Sequence, residues 1–144
     1  MDKERLEQYI YLKQEMAKVE MQIRDTERRL RKIDSEGPVI DSVRGGEGNQ
    51  QHFKIEGFPQ VEYERVRTQL LSRRLTLMKL QAKDESELEA IERFMYGIED
   101  AMLRLIIQYR VIDRLEWQDV AKKLGGGNTP DSVRMQYNRI FQKK

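Results

Sequence analysis

Apolar side chains recur at alternating intervals of three and four through the first quarter of the chain. Tyr9, Leu12, Met16, Val19, Ile23, Thr26, Leu30 and Ile33 mark one stripe over residues 2–34, and Leu6 and Ile10 widen it at its start. That spacing draws a single narrow seam along a helix, the pattern of a coiled coil. Thr26 is the only polar member of the seam, and no Gly or Pro interrupts the stretch. It predicts one helix of roughly 45–50 Å at about 1.5 Å per residue. So narrow a seam needs a partner to cover it.

A second heptad runs through Tyr63, Val66, Leu70, Leu77 and Leu80, with Arg73 falling on its seam. Leu71, Leu75 and Met78 form a separate stripe on the same segment, 60–97. The pattern thins over 83–87 and resumes at Leu88, Ile91, Phe94 and Met95. The segment therefore reads either as one long helix or as two joined near Asp84. Pro59 suits the start of a helix. The stretch between the heptads, 35–59, contains Gly37-Pro38, Gly45-Gly46, Gly48-Asn49 and Gly57, all of which break helices. His52-Phe53-Lys54-Ile55-Glu56 alternates as a short strand does, but only Val39-Ile40 is near enough to partner it. The stretch reads as an irregular loop that reverses the chain. Two arrangements then bury the seams: a coil between two chains, or a hairpin within one. The matched lengths and the ample loop favour the hairpin, which is compatible with a homodimer built on it.

From residue 98 onward the periodicity predicts three short helices, at about 100–112, 117–124 and 130–142. Leu103, Ile106, Ile107 and Tyr109 or Arg110 fall on successive turns of the first. Gly125-Gly126-Gly127-Asn128 supplies left-handed conformations to end the second. Thr129 is a good N-cap for the third, and Pro130 fits its first turn. Trp117, Val120, Ala121, Leu124, Val133, Tyr137, Ile140 and Phe141 form one apolar set across the last two helices, with the small Ala121 where they would cross closely. The expected fold is all-α: a long helical hairpin over 1–97, then a small helix-turn-helix domain over 98–144.

Composition narrows the function. Charged residues make up 36% of the 144 residues and apolar residues 38%, a lean core that suits long helices better than a sandwich. The net charge of +2 is unevenly placed: +1 over 1–35, −3 over 36–99 and +4 over 100–144. The basic excess thus coincides with the helix-turn-helix, as phosphate neutralisation requires. With no cysteine, disulfides and Cys-based metal sites are excluded. A charged N-terminus and the lack of any long apolar run lead to an expected cytoplasmic location. His52, the only histidine, reads as a loop residue of no special role, since the nearby acids Glu47 and Glu56 lie on a flexible stretch. Gly45-Gly46-Glu47-Gly48 lacks the Gly-Lys-Ser/Thr ending of a phosphate loop. Glu85, Glu87, Glu89 and Glu92 read as a solvated helix face. Nothing points to catalysis, a cofactor or a metal.

The last two helices then admit two readings: a small helical hairpin with a solvated polar face, or a module that recognises double-stranded DNA. In a helix-turn-helix the second helix enters the major groove. Asp131, Ser132, Arg134, Met135, Asn138 and Arg139 lie off the apolar set on the last helix, with Thr129 at its start and Lys143 just beyond it. Arginine can read guanine edges, and asparagine can read adenine or hold a phosphate, so on the DNA reading Arg134 and Asn138 are the candidates for those roles.

Three phrases also carry a resemblance. Arg104-Leu-Ile-Ile-Gln-Tyr-Arg-Val-Ile-Asp, then Trp117-Gln-Asp-Val-Ala and Thr129-Pro-Asp-Ser-Val-Arg, resemble the fourth conserved region of bacterial sigma factors. They are more similar still to the RinA and ArpU families of phage and prophage late-gene activators. The likeness covers about 101–141, and Gln51-His-Phe-Lys-Ile-Glu-Gly-Phe-Pro is similar to a segment of such proteins. It implies a transcriptional regulator that contacts RNA polymerase as well as DNA. Asp131 and Arg134 match base-reading positions of sigma-type helices, whereas Pro130 and Met135 stand where those helices carry arginine and glutamine. Arg114 and Glu116 occupy turn and cap positions where the pattern has Gly and Ser. Two other readings use the same elements: a DNA-packaging adaptor resembling a small terminase subunit, which would form rings, and a protein-interaction module without DNA affinity.

Overall fold

The structure is a computed structural model that describes residues 1–36 and 60–142. The expected loop and strand of 35–59 from residue 37 onward, His52, the Gly45–Gly48 run and Lys143 lie outside the described residues. The fold is all-α. Two long helices pair as a hairpin, and small helices follow. The first, α1, is Lys3–Glu36, and the second, α2, is Gln60–Tyr96. Both seams lack internal Gly and Pro, so nothing breaks either helix. Asp2 caps α1 by accepting a hydrogen bond from the Arg5 amide at 2.8 Å. The choice left open for 60–97 resolves as one uninterrupted helix through Asp84.

The described chain forms two compact units. One comprises Met1–Met16 with Leu80–Lys144, the other Ala17–Lys79. In the second unit, Val19, Ile23 and Thr26 of α1 and Val66 and Leu70 of α2 are buried. Thr26 is only 1% exposed and donates to the Gln22 carbonyl at 2.7 Å, while its hydroxyl accepts a hydrogen bond from Arg73. The two polar intruders in the seams therefore meet each other. Outside the seam, Arg74 pairs with Glu27 at 2.9 Å and Arg29 with Glu62 at 3.1 Å. Residues early in one helix meet residues late in the other, which makes the pair antiparallel.

The first unit repeats this matching. Asp84 and Glu87 also fall on the α2 seam. Lys13 reaches Asp84 at 3.2 Å, and Arg5 forks onto Glu87 at 2.8 and 2.9 Å. The Arg5 hydrogen bond holds the Glu87 carboxyl below its ordinary range. This contribution is present with the carboxylate ionised and fades as pH falls through that lowered value. Burial, with the Asp84 carboxylate beside it, pushes the Tyr9 hydroxyl well above its ordinary range. Glu87 thus leaves the acidic face expected of it, while Glu85 and Glu92 stay exposed.

Three short helices complete this unit. Asp100 caps α3, Ala101–Ile107, by accepting from the Met102 amide at 2.8 Å. The helix continues into a π-helical turn, Gln108–Ile112. A π-turn inserts an extra residue, so the apolar stripe is displaced. Val111 is buried there with Ile106 and Ile107, whereas Tyr109 and Arg110 are half-exposed. The remaining helices are α4, Trp117–Leu124, and α5, Pro130–Ile140. Val120, Ala121, Val133 and Tyr137 are buried between and beneath them. Tyr137 packs edge-on against Trp117 and Phe141, with ring centres 5.1 and 5.3 Å away, and Phe141 stacks on Phe94 at 6.0 Å. Its hydroxyl donates to Glu7 of α1 at 3.1 Å.

Candidate nucleic-acid interface

Helices α4 and α5 and the turn between them make the candidate interface. The Gly125 amide bonds back to the Ala121 carbonyl at 3.0 Å, closing α4. Gly125 has φ 71° and ψ −157°, a conformation essentially reserved for glycine, and Gly126 has φ 62°. The Asn128 side chain donates to the Gly125 carbonyl at 2.8 Å and holds the turn shut.

At the start of α5, the Thr129 hydroxyl accepts from the Ser132 amide at 3.1 Å, and the Ser132 hydroxyl accepts from the Thr129 amide at 2.9 Å. This reciprocal capping box satisfies two amides that would otherwise lack partners. Thr129 and Ser132, both named as candidate DNA contacts, spend their side chains on the cap. Asp131, Arg134, Met135 and Arg139 are exposed on the same short helix that buries Val133 and Tyr137. Arg134 pairs with Asp131 at 3.2 Å, with both side chains more than half exposed. Asn138 is half-buried and lines a cleft with Asp2, Lys3, Glu4, Phe141 and Gln142. Its Oδ1 is buried without a hydrogen-bond partner in the protein. The structure thus brings four of the eight candidates together on an outer face. It assigns two to the cap and one to a cleft, and Lys143 is not described.

Two arginines from the resembling segment take structural positions. Arg104 donates to the carbonyls of Ile98 and Glu99 at 2.5 and 3.0 Å. Arg110 lies 4.6 Å over the Trp117 ring and donates to the Leu115 carbonyl at 3.1 Å. A guanidinium stacked on indole holds the α3–α4 corner together. The sequence signal for this was present, since Arg110 falls on the inward side of its helix. Lys122 and Lys123, exposed in the last turn of α4, were not singled out. Their local charge was the signal available. Among the described residues no group of three or more Asp, Glu or His side chains is placed to hold a metal ion. No helix among them is long and apolar enough to cross a membrane.

Both departures from the expected turn pattern are visible. Arg114 adopts φ 59°, the left-handed conformation that favours Gly. Glu116 is the N-cap of α4 but makes no side-chain capping bond. Glu116→Ser is expected to stabilise the chain by about 0.5–1 kcal/mol. A serine cap contributes about 1 kcal/mol, less a few tenths for the lost carboxylate at a helix N-terminus. Thermal unfolding of the two chains measures the difference.

Comparison with protein-family models, with curated proteins and with solved structures returns no match to this chain.

Proposed function

We propose that the chain is a sequence-specific DNA-binding transcriptional regulator, of the phage and prophage type that its C-terminal motifs resemble. The observation that carries this reading is the outer face of α5. Asp131, Arg134, Met135 and Arg139 are presented to solvent by a helix whose other side is locked by Val133 and Tyr137 and whose first turn is capped. A rigid, capped helix following a tight glycine turn is what base readout in the major groove requires. Arg134 is the principal reader, and Arg139, Lys122 and Lys123 supply phosphate contacts. The role of RNA polymerase as a second partner rests on the resemblance alone.

The test is selection of bound duplexes from a random-sequence pool with the full chain, then affinity measurements on the enriched sequence. Arg134→Ala is expected to weaken binding by about 1–2 kcal/mol, roughly 5- to 30-fold. The lower part of the usual range applies because Arg134 must first release Asp131. Binding should also weaken steeply with salt. No enriched sequence, or an unchanged affinity in Arg134→Ala with native helix content, removes α5 as the reader.

A further inference from the structure

We propose that the outward face of α2 between residues 61 and 79 docks an acidic amphipathic helix of a partner protein. This inference does not rest on the DNA-binding reading. Leu71, Leu75 and Met78 are 50%, 53% and 64% exposed, and Val61 is 83% exposed. None of them belongs to the seam that faces α1, whose members on this stretch of α2 are Tyr63, Val66, Leu70, Arg73 and Leu77. With the exposed Thr68, they recur at coiled-coil spacing: Thr68, Leu71, Leu75, Met78. Exposed apolar residues scattered singly need no explanation, but three on consecutive turns form a second seam. A seam of this spacing accepts the knobs of another helix.

Charge identifies the occupant. The stretch 65–79 contains Arg65, Arg67, Arg73, Arg74 and Lys79 and no acidic residue. Arg73 turns inward to Thr26. Arg67 and Arg74 border the apolar stripe on one side, and Lys79 and Arg65 border it on the other. Arg65 and Arg74 are shared with Glu62 and Glu27, while Arg67 and Lys79 are exposed. Those flanks take the place of the e and g positions that set partner choice in coiled coils. A second copy presenting the same face, parallel or antiparallel, would oppose Arg and Lys with Arg and Lys. A lipid surface fits less well. The face carries no aromatic side chain, and Glu64 interrupts it near its start, held by Gln60 at 3.0 Å. A helix with acidic flanks satisfies both the apolar stripe and its borders.

The probe is a designed helix of four heptads with Leu at a and d and Glu at e and g, fluorescently labelled and titrated with the full chain. The matching helix with Lys at e and g is its control. The Glu helix is expected to bind at least about tenfold tighter than the Lys helix, since like charges across an interface are repulsive. Leu71→Glu with Leu75→Glu should abolish binding while circular dichroism stays native, because both side chains are half exposed. Leu75→Ser serves if that pair perturbs the helix. Arg67→Glu with Lys79→Glu should reverse the preference between the two probes. The proposal is overturned by equal or absent binding of the two helices. It is also overturned if phosphatidylglycerol vesicles displace the Glu helix through the same residues. Concentration-dependent self-association that Leu75→Ser abolishes assigns the face to a second copy instead, and equally overturns it.

Discussion

Tyr137→Ala is expected to cost about 3–5 kcal/mol of stability, the range for cutting a large buried aromatic side chain to a methyl. Tyr137 is fully buried, lies edge-on to Trp117 and Phe141, and donates its hydroxyl to Glu7. A loss of this size is a large fraction of a small domain's total stability. Hydrogen exchange locates it. Protection should fall through 101–140, and also through 3–16 and 80–96, because those stretches belong to the same compact unit. Amides of 17–36 and 60–79 should be affected less. If 3–16 and 80–96 keep native protection while 101–140 opens, the last three helices are a cooperative unit by themselves. Tyr137→Phe keeps the ring contacts and removes only the bond to Glu7. It should cost about 1.5–2 kcal/mol, the lower part of the range for a hydrogen bond to a charged group.

The second large effect is expected at the polar step in the hairpin. Thr26→Val preserves shape and removes the hydroxyl that accepts from Arg73. The half-buried Arg73 guanidinium then loses that acceptor, and a lost hydrogen bond to a charged group costs about 1.5–3 kcal/mol. Adding Arg73→Leu should recover most of this, because replacing both partners of a hydrogen bond in the seam with apolar groups of similar shape is nearly neutral or stabilising. The four chains form a double-mutant cycle read by denaturant unfolding. Additive effects of the two substitutions would show that Thr26 and Arg73 do not act as a pair. The same cycle tests register. A hairpin with two fully apolar seams can slip by a heptad, and the Thr26–Arg73 contact is satisfied in one alignment only.

The elements themselves were largely legible along the chain. Period, length and the lack of Gly and Pro specify α1 and α2. Gly125, Thr129 and Pro130 punctuate the last two helices through conformations and caps that few other residues supply. Less legible was the meaning of the breaks. Arg73 and Asp84 look like flaws in a seam when α2 is read alone. Arg73 meets Thr26 and Asp84 meets Lys13, which lie 47 and 71 residues away. Local pattern carries no information about which distant side chain will stand opposite. The residues proposed to contact DNA divide in the same way. Asp131, Arg134, Met135 and Arg139 follow from helical period as residues off the apolar stripe. Thr129 as the N-cap of α5 was also readable, but Ser132 as the reciprocal member of its box emerges only from backbone geometry. Asn138 has the right residue type and the right helix, yet its amide is half-buried against the start of α1.

The sequence by itself determined the all-α class, the long paired helices and the capped short helix with a polar face, because period, helix breakers and caps act within a few residues. Tertiary packing alone decided three things. It set Thr26 of the α1 seam opposite Arg73 of the α2 seam. It joined the first turns of α1 to the C-terminal helices through Glu7 and Tyr137. It moved Val111 into the core by a π-turn, in place of Tyr109 or Arg110. Each of these depends on groups far apart in the chain finding hydrogen bonds or filling space together. Burial makes an unpaired polar group or an empty volume costly only once the folded surroundings exist.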